Sequence, residues 1–101
     1  MPTENTPSAR ETIRAFVETH FEQQVAMLSR LVQCPSDNPP GDCAAHAELA
    51  AELLERLGFA VERHGVDAAA VRAAGMRSVT NLIVREKFGP GPTIALNAHG
   101  D

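Results

Sequence analysis

The sequence predicts an α/β fold in which two long helices pack on a small sheet. Apolar residues recur at three- and four-residue steps through the first half of the chain, and short apolar runs of strand length follow in the second half. A length of 101 residues suits one modest domain, so we expect no multidomain organisation here.

A polar tail and one long helix are predicted at the start of the chain. Residues 1–7 are rich in Thr, Asn and Pro without an apolar period, which is typical of a mobile tail. An amphipathic helix is expected from about Ser8 to the Cys34-Pro35 pair, because proline disfavours helical geometry in the preceding residue. Its apolar stripe, which we expect to be core, contains Ile13, Phe16, Val17, Phe21, Met27, Leu28, Leu31 and Val32.

A loop and a second helix follow. Residues 36–42 are dense in turn formers, and Asp42 can cap the next helix by accepting hydrogen bonds from its free N–H groups. That helix is predicted over residues 43–57, with Gly58 as its C-terminal stop. Its expected apolar face consists of Ala47, Ala50, Ala51, Leu54 and Leu57.

The second half of the chain predicts strands. Residues 59–64 alternate as a half-buried strand does, whereas the alanine-rich residues 66–75 predict either an irregular crossing or a short helical turn. The apolar runs 81–85 and 93–97 are separated by a connection too short for a helix crossover, so we expect a hairpin or a neighbouring antiparallel pair within a partial mixed sheet. The chain then stops directly beyond an apolar strand, and we expect it to be truncated.

Charge and hydropathy exclude several classes of function. Nine basic and thirteen acidic residues give a net charge of −4 without a long single-sign run, so we expect neither nucleic-acid nor membrane-surface binding. No apolar stretch approaches the roughly 20 residues of a transmembrane helix, and the polar N-terminus lacks the pattern of a signal peptide. We therefore expect a cytoplasmic protein.

Scattered cysteines and histidines offer weak signals. Cys34 and Cys43 are expected to be free thiols, although their even number leaves a disulfide open. The spacing of Cys43 and His46 can place both on one helical face for a metal, but a structural site needs two more ligands. His20 is expected to pack within the apolar stripe, and His64 to face solvent.

The strongest candidate for chemistry is the tripeptide His99-Gly100-Asp101. It follows an apolar run, and the carboxyl ends of strands are where α/β proteins commonly place ligands. The Asp101 carboxylate can hydrogen-bond one imidazole nitrogen of His99 while the other faces a metal. On spacing alone, a solvated polar turn is the more frequent explanation of such a tripeptide.

Several segments, in the same order, resemble the N-terminal part of the co-catalytic zinc aminoacylase and exopeptidase family, which includes acetylornithine deacetylase, succinyl-diaminopimelate desuccinylase and glutamate carboxypeptidase. The resemblance begins near Glu11, and its most specific part is an apolar run that leads into His-x-Asp. The resembling segments are residues 35–42 (PSDNPPGD), residues 57–59 (LGF), residues 80–84 (TNLIV) and residues 91–101 (GPTIALNAHGD).

The resemblance implies a metal site and an incomplete domain. His99 would be a terminal ligand of one of two zinc ions, which cobalt or manganese can replace, and Asp101 would be the catalytic carboxylate that orients it. A bridging aspartate, a general-base glutamate and further ligands would lie downstream. Residues 8–101 would then be the first portion of a catalytic domain, inactive alone, without the lid domain through which the full-length protein would form a homodimer.

The expected function is metal-dependent hydrolysis of the amide bond in N-acyl amino acids or small peptides. The proline-rich loop and the last five residues favour acetylornithine deacetylase-like members. The alternative is a noncatalytic protein-interaction module, in which the helices and sheet form a docking surface and residues 99–101 are a solvated tail.

Overall fold

The computed structural model describes residues 6–101 and has a mixed α/β fold, which confirms the predicted class. Within these residues it contains four helices and one two-stranded antiparallel sheet. In chain order the elements are α1 (Ala9–Thr19), α2 (Phe21–Gln33), α3 (Ala44–Arg56), β1 (Val61–Gly65), α4 (Ala68–Ala73) and β2 (Thr80–Val84). The chain divides into two units, one ending at Arg30 and one running from Leu31 to Asp101. Most of the predicted tail, residues 1–5, lies outside the described residues.

The single long helix predicted at the start is two helices, because the backbone leaves helical geometry at His20. The φ and ψ angles of His20 are −103° and 12°. Its N–H donates to the carbonyl of Phe16 at 3.0 Å, and its imidazole Nδ1 lies 2.9 Å from the same oxygen. The ring also stacks on that of Phe16, with centroids 4.1 Å apart. His20 therefore packs within the apolar stripe, as predicted, and also ends α1. The predicted helix end before Cys34 is confirmed.

The apolar stripe of α1 and α2 is not core, contrary to the prediction. Neither helix contains a buried residue. Met27 and Leu31 are half-buried. Seven other large apolar side chains of the two helices are between 42% and 74% exposed, namely Ile13, Phe16, Val17, Phe21, Val25, Leu28 and Val32. Periodicity showed which residues share a face, but burial also needs a partner for that face.

The described core lies around α3, which contacts both strands. The buried side chains of this core are Ala47, Ala51 and Leu53 of α3 and Val71 of α4. Ala47 and Ala51 lie one helical turn apart, and their small side chains let the α3 backbone approach the sheet closely. The predicted face is confirmed at both alanines, but it was wrong at Leu57, which is 63% exposed beyond the end of the helix.

The two ends of α3 differ in how well local sequence predicted them. Gly58 follows the last residues of the helix with a φ of +96°, a conformation that glycine adopts at helix C-termini, so the predicted stop is confirmed. Asp42 does not cap the helix. The N-cap residue is Cys43, which makes no side-chain capping hydrogen bond, and the Asp42 carboxylate accepts from the Ser78 hydroxyl at 2.5 Å instead.

The sheet pairs strands that local sequence did not pair. Strand β1 runs antiparallel to β2, with Arg63 opposite Leu82, and the two are connected through α4, so the alanine-rich segment forms the short helical turn. Residues 93–97 form no strand, and Ile94 and Leu96 are 83% and 95% exposed. We predicted a hairpin of runs 81–85 and 93–97 within a mixed sheet, and both predictions were wrong. Strand β2 pairs with β1 instead, in an antiparallel sheet.

An exposed ion-pair cluster links β1 to α3. The Arg63 guanidinium lies 2.9 Å from a Glu48 oxygen and 2.8 Å from a Glu55 oxygen, two carboxylates on α3. Hydrogen bonds from Arg63 hold the pKa of both carboxyls below its usual value, and the two carboxylates raise the pKa of Arg63. Since these groups face water, the cluster fixes the orientation of the strand on the helix more than it adds stability.

No helix among residues 6–101 combines the length and the apolar character needed to cross a membrane.

Candidate functional site

The predicted pair of His99 and Asp101 is brought together. The imidazole Nδ1 of His99 lies 3.3 Å from Oδ1 of Asp101. The side chain of Asp101 is 31% exposed and that of His99 is 83% exposed, so the carboxylate is partly covered while the imidazole reaches solvent. With Nδ1–H donating to the carboxylate, Nε2 would carry the lone pair that can bind a metal.

The pair does not lie at the end of a strand, where it was predicted. Residues 85–101 form neither helix nor strand, and the contacts that hold residues 100–101 come from the loop between α2 and α3. The Ser36 hydroxyl donates a hydrogen bond to the Gly100 carbonyl.

Gly100 lies close against α3. A Cβ atom at Gly100 would lie 3.3 Å from Nδ1 of His46, which is closer than ordinary van der Waals contact. The absence of a side chain at Gly100 thus allows the segment to approach the first turns of α3.

The loop that contacts the tripeptide is itself held at Gly41. The Gly41 N–H donates to the Asp37 carbonyl at 2.8 Å, and the Gly41 carbonyl accepts from the N–H groups of Arg77 and Ser78 at 3.0 and 3.2 Å. The φ of Gly41 is +72°, and a Cβ atom there would lie 2.9 Å from Cγ of Met76. Only glycine satisfies both the backbone angle and this packing.

Ser78 uses its backbone and its side chain to fix the end of the loop. Its hydroxyl donates to Asp42 at 2.5 Å and accepts from the Ala44 N–H at 2.9 Å. Its carbonyl accepts from the Cys43 N–H at 3.1 Å. Ser78, two residues before β2, therefore connects the loop to the start of α3.

Charge at the site favours an ionised carboxylate and a protonated thiol. The hydrogen bond from His99, followed by those from the backbone N–H of Asp101 and from Asn38, lowers the pKa of the Asp101 carboxyl. Burial raises the pKa of the Cys43 thiol, and the nearby Asp101 and Asp42 charges raise it further. Cys43 is therefore a thiol near neutral pH, a form unsuited to binding a metal or acting as a nucleophile.

The other candidate ligands have contacts of their own. His20 stacks on Phe16, and His64, exposed as predicted, lies 3.2 Å from a Glu62 oxygen. Both cysteines are free, and the spacing of Cys43 and His46 does not produce a metal cluster. Within residues 6–101, no group of three His, Cys, Asp or Glu side chains is placed to hold a metal ion. The donor chemistry of His99 beside Asp101 nevertheless fits one position of a zinc site.

Sequence reasoning identified the proline-rich loop but missed the roles of Ser36 and Ser78. Ser36 was interpreted as a turn former and Ser78 was given no role, because their partners lie far away in sequence, 64 residues for Ser36 and 36 for Ser78. For Ser36, the available signal was a hydrogen-bonding side chain in a proline-rich loop.

Comparison of the chain with models of protein families, with curated proteins and with solved structures gives no match. The residues of the site are therefore the basis for any assignment of function.

Proposed function

We propose that the chain is part of a metal-dependent hydrolase that cleaves the amide bond of N-acyl amino acids or small peptides. In this proposal His99 is a terminal zinc ligand, and Asp101 is the carboxylate that orients it. The observation that carries the proposal is the 3.3 Å contact between Nδ1 of His99 and Oδ1 of Asp101, on an imidazole that is otherwise exposed.

The chain's own residues would hold and orient the metal. Asp101, whose carboxyl pKa is lowered by the hydrogen bond from His99, would keep the proton of His99 on Nδ1 and make Nε2 a better donor. When bound, zinc polarises the scissile carbonyl and lowers the pKa of a bound water. The products would be a carboxylate and an amine.

A complete site needs more ligands than residues 6–101 offer. A catalytic zinc ordinarily has about three protein ligands and a water, and His99 supplies one. By the resemblance, a bridging aspartate, a general-base glutamate and the remaining ligands belong to other parts of the catalytic domain. We therefore expect the 101-residue chain to bind zinc weakly and to have no hydrolase activity.

A zinc titration followed by NMR tests the role of His99 directly. In the ¹⁵N-histidine-labelled chain, the Nε2 resonance of His99 should respond at lower Zn²⁺ concentration than the Nδ1 resonance of His64, whose Nε2 lies against Glu62. His64 is a matched control, because it is also exposed and also lies near a carboxylate, 3.2 Å from Glu62. The response should disappear in His99→Ala and persist in His64→Ala. Equal responses of His99 and His64 would contradict the proposal.

A noncatalytic interaction module is the second candidate, and the exposed apolar stripe of α1 and α2 favours it. Such a module would not need the His99–Asp101 pair. His99 would then show no preference for Zn²⁺ over His64, which is the outcome that separates the two candidates.

A further inference from the structure

The exposed apolar stripe of α1 and α2 continues through the junction of the two helices. The His20 N–H donates to the Phe16 carbonyl, and the Gln24 N–H donates to the His20 carbonyl, each at 3.0 Å. Both hydrogen bonds span four residues, as in an α-helix, so the helical repeat is kept across His20. The apolar side chains of the two helices therefore share one face over residues 13–32.

This face has the size of a protein–protein interface. Seven of its large apolar side chains are between 42% and 74% exposed among residues 6–101. A large apolar side chain has a surface of roughly 150–250 Å², so these seven leave an area on the order of 800 Å² uncovered. The largest apolar patch of a typical monomer covers only about 300–600 Å². A stable complex buries about 800 Å² on each partner, so the stripe is large enough for a dimer.

The charges of α1 and α2 favour a second copy of the chain as the partner. The two helices contain three arginines and three glutamates, which leaves six basic and ten acidic residues, and the whole net charge of −4, elsewhere in the chain. An anionic membrane would attract a helix with an excess of Lys and Arg, and these helices have none. Within residues 6–101 none of the six charged side chains forms an ion pair, and they are Arg10, Glu11, Arg14, Glu18, Glu22 and Arg30.

Arg14 and Glu22 make the stripe complementary to itself. They are eight residues apart, which is about 80° around a helix, so both lie along the same edge of the stripe. When two copies pair antiparallel, α1 of one copy lies along α2 of the other, and the same edges meet. Arg14 of each copy then lies near Glu22 of the other, and two-fold symmetry forms this contact twice. In a parallel pair the two residues would stay about 12 Å apart along the axis.

We propose that the chain forms a homodimer in which the α1–α2 stripe of one copy packs antiparallel on the same stripe of a second copy. The pairing buries apolar side chains that the described core does not use, and it gives Arg14 and Glu22 partners of opposite charge. It involves none of residues 99–101, so it does not rest on the proposed function.

Sedimentation equilibrium of the 101-residue chain measures this pairing. At about 100 µM, above the micromolar limit for interfaces of this size, the wild type should have twice the monomer mass of 10.8 kDa. Leu28→Glu places a charge within the stripe and should raise the dissociation constant more than about tenfold. Ala26→Glu is the matched control, because it adds the same charge at an exposed position on the other side of α2 and should leave the dimer intact. Circular dichroism should show equal helix content in both variants, since α2 contains no buried residue.

An exchange of charges tests the direction of the helices. Arg14→Glu should weaken the dimer roughly two- to tenfold at low salt, because two glutamates then meet across the interface. The double variant Arg14→Glu/Glu22→Arg restores opposite charges and should recover the wild-type dissociation constant. Added salt should reduce the difference between the single and double variants, since it screens exposed charges.

Four results would overturn the proposal. A mass of 10.8 kDa at every concentration would show that the stripe does not pair. Equal weakening by Leu28→Glu and Ala26→Glu would place the contact outside the stripe. A double variant as weak as Arg14→Glu would exclude the antiparallel arrangement. A monomer that sediments with phosphatidylserine vesicles would assign the stripe to a membrane surface instead.

Discussion

Replacing Gly41 by alanine should destabilise the chain through two separate effects. At a φ of +72° a residue with a Cβ atom is in the left-handed region, which costs about 1–2 kcal/mol. The new Cβ would also lie 2.9 Å from Cγ and 3.1 Å from Cβ of Met76. Overpacking of this kind costs about 1–3 kcal/mol, so we expect a total loss of about 2–5 kcal/mol in the free energy of unfolding.

Gly75→Ala separates the two effects. Gly75 has almost the same backbone angle, a φ of +76°, but a Cβ atom there would meet nothing within 4 Å. Its substitution should therefore cost only the backbone part, about 1–2 kcal/mol. The gain of alanine from a less flexible unfolded chain applies to both variants and cancels in the comparison.

The assay is urea unfolding followed by circular dichroism for the wild type and both variants. A fixed concentration of sucrose in all samples would keep the less stable variants folded at zero urea. Gly41→Ala should be less stable than Gly75→Ala by about 1–3 kcal/mol, the overpacking part alone. Equal stabilities would refute the claim that Met76 closes the space around Gly41, and with it the described packing of the loop.

Two further predictions concern the contacts around α3. Arg63 lowers the pKa values of Glu48 and Glu55 in the folded chain. The stability that this cluster adds is therefore fully present at pH values above 4.5, the usual pKa of the carboxyl group, and is lost as the pH falls through the lower pKa values of the folded chain. Between pH 6 and pH 3, the urea midpoint of the wild type should therefore fall further than that of Arg63→Gln, and parallel falls would contradict this assignment. Ser78→Ala leaves the Ala44 N–H without its partner and should cost about 1–3 kcal/mol by the same urea assay, whereas Ser78→Thr, which retains the hydroxyl, should cost less.

The features that sequence predicted correctly depend on neighbouring residues. The helix α3 follows from the apolar period of residues 43–57, and its end follows from Gly58, whose positive φ needs no distant contact. The end of α2 before Pro35 is equally local, because proline restricts only the residue that precedes it.

The features that sequence did not predict depend on a partner elsewhere or on one specific side-chain contact. The apolar run 93–97 has the composition of a strand, but a strand needs a neighbour, and β2 is paired with β1. The break at His20 depends on the contact of its own imidazole with the Phe16 carbonyl, which a hydrophobic period does not show.

The candidate site was predicted only in part for the same reason. The pairing of His99 with Asp101 spans two residues and was expected from spacing. The contact of Ser36 with Gly100 spans 64 residues, and no local pattern in either segment indicates the other.

The position of Ser78 next to β2 has a thermodynamic consequence. Opening of β2 from β1 would release Ser78, and with it the hydrogen bonds that hold the loop at Gly41 and Asp42. A ligand that binds His99 only while that loop is in place would then favour the closed sheet, and the closed sheet would favour the ligand by the same factor. Hydrogen exchange at the amides of β1 and β2 should therefore slow when such a ligand is added, although the ligand touches neither strand.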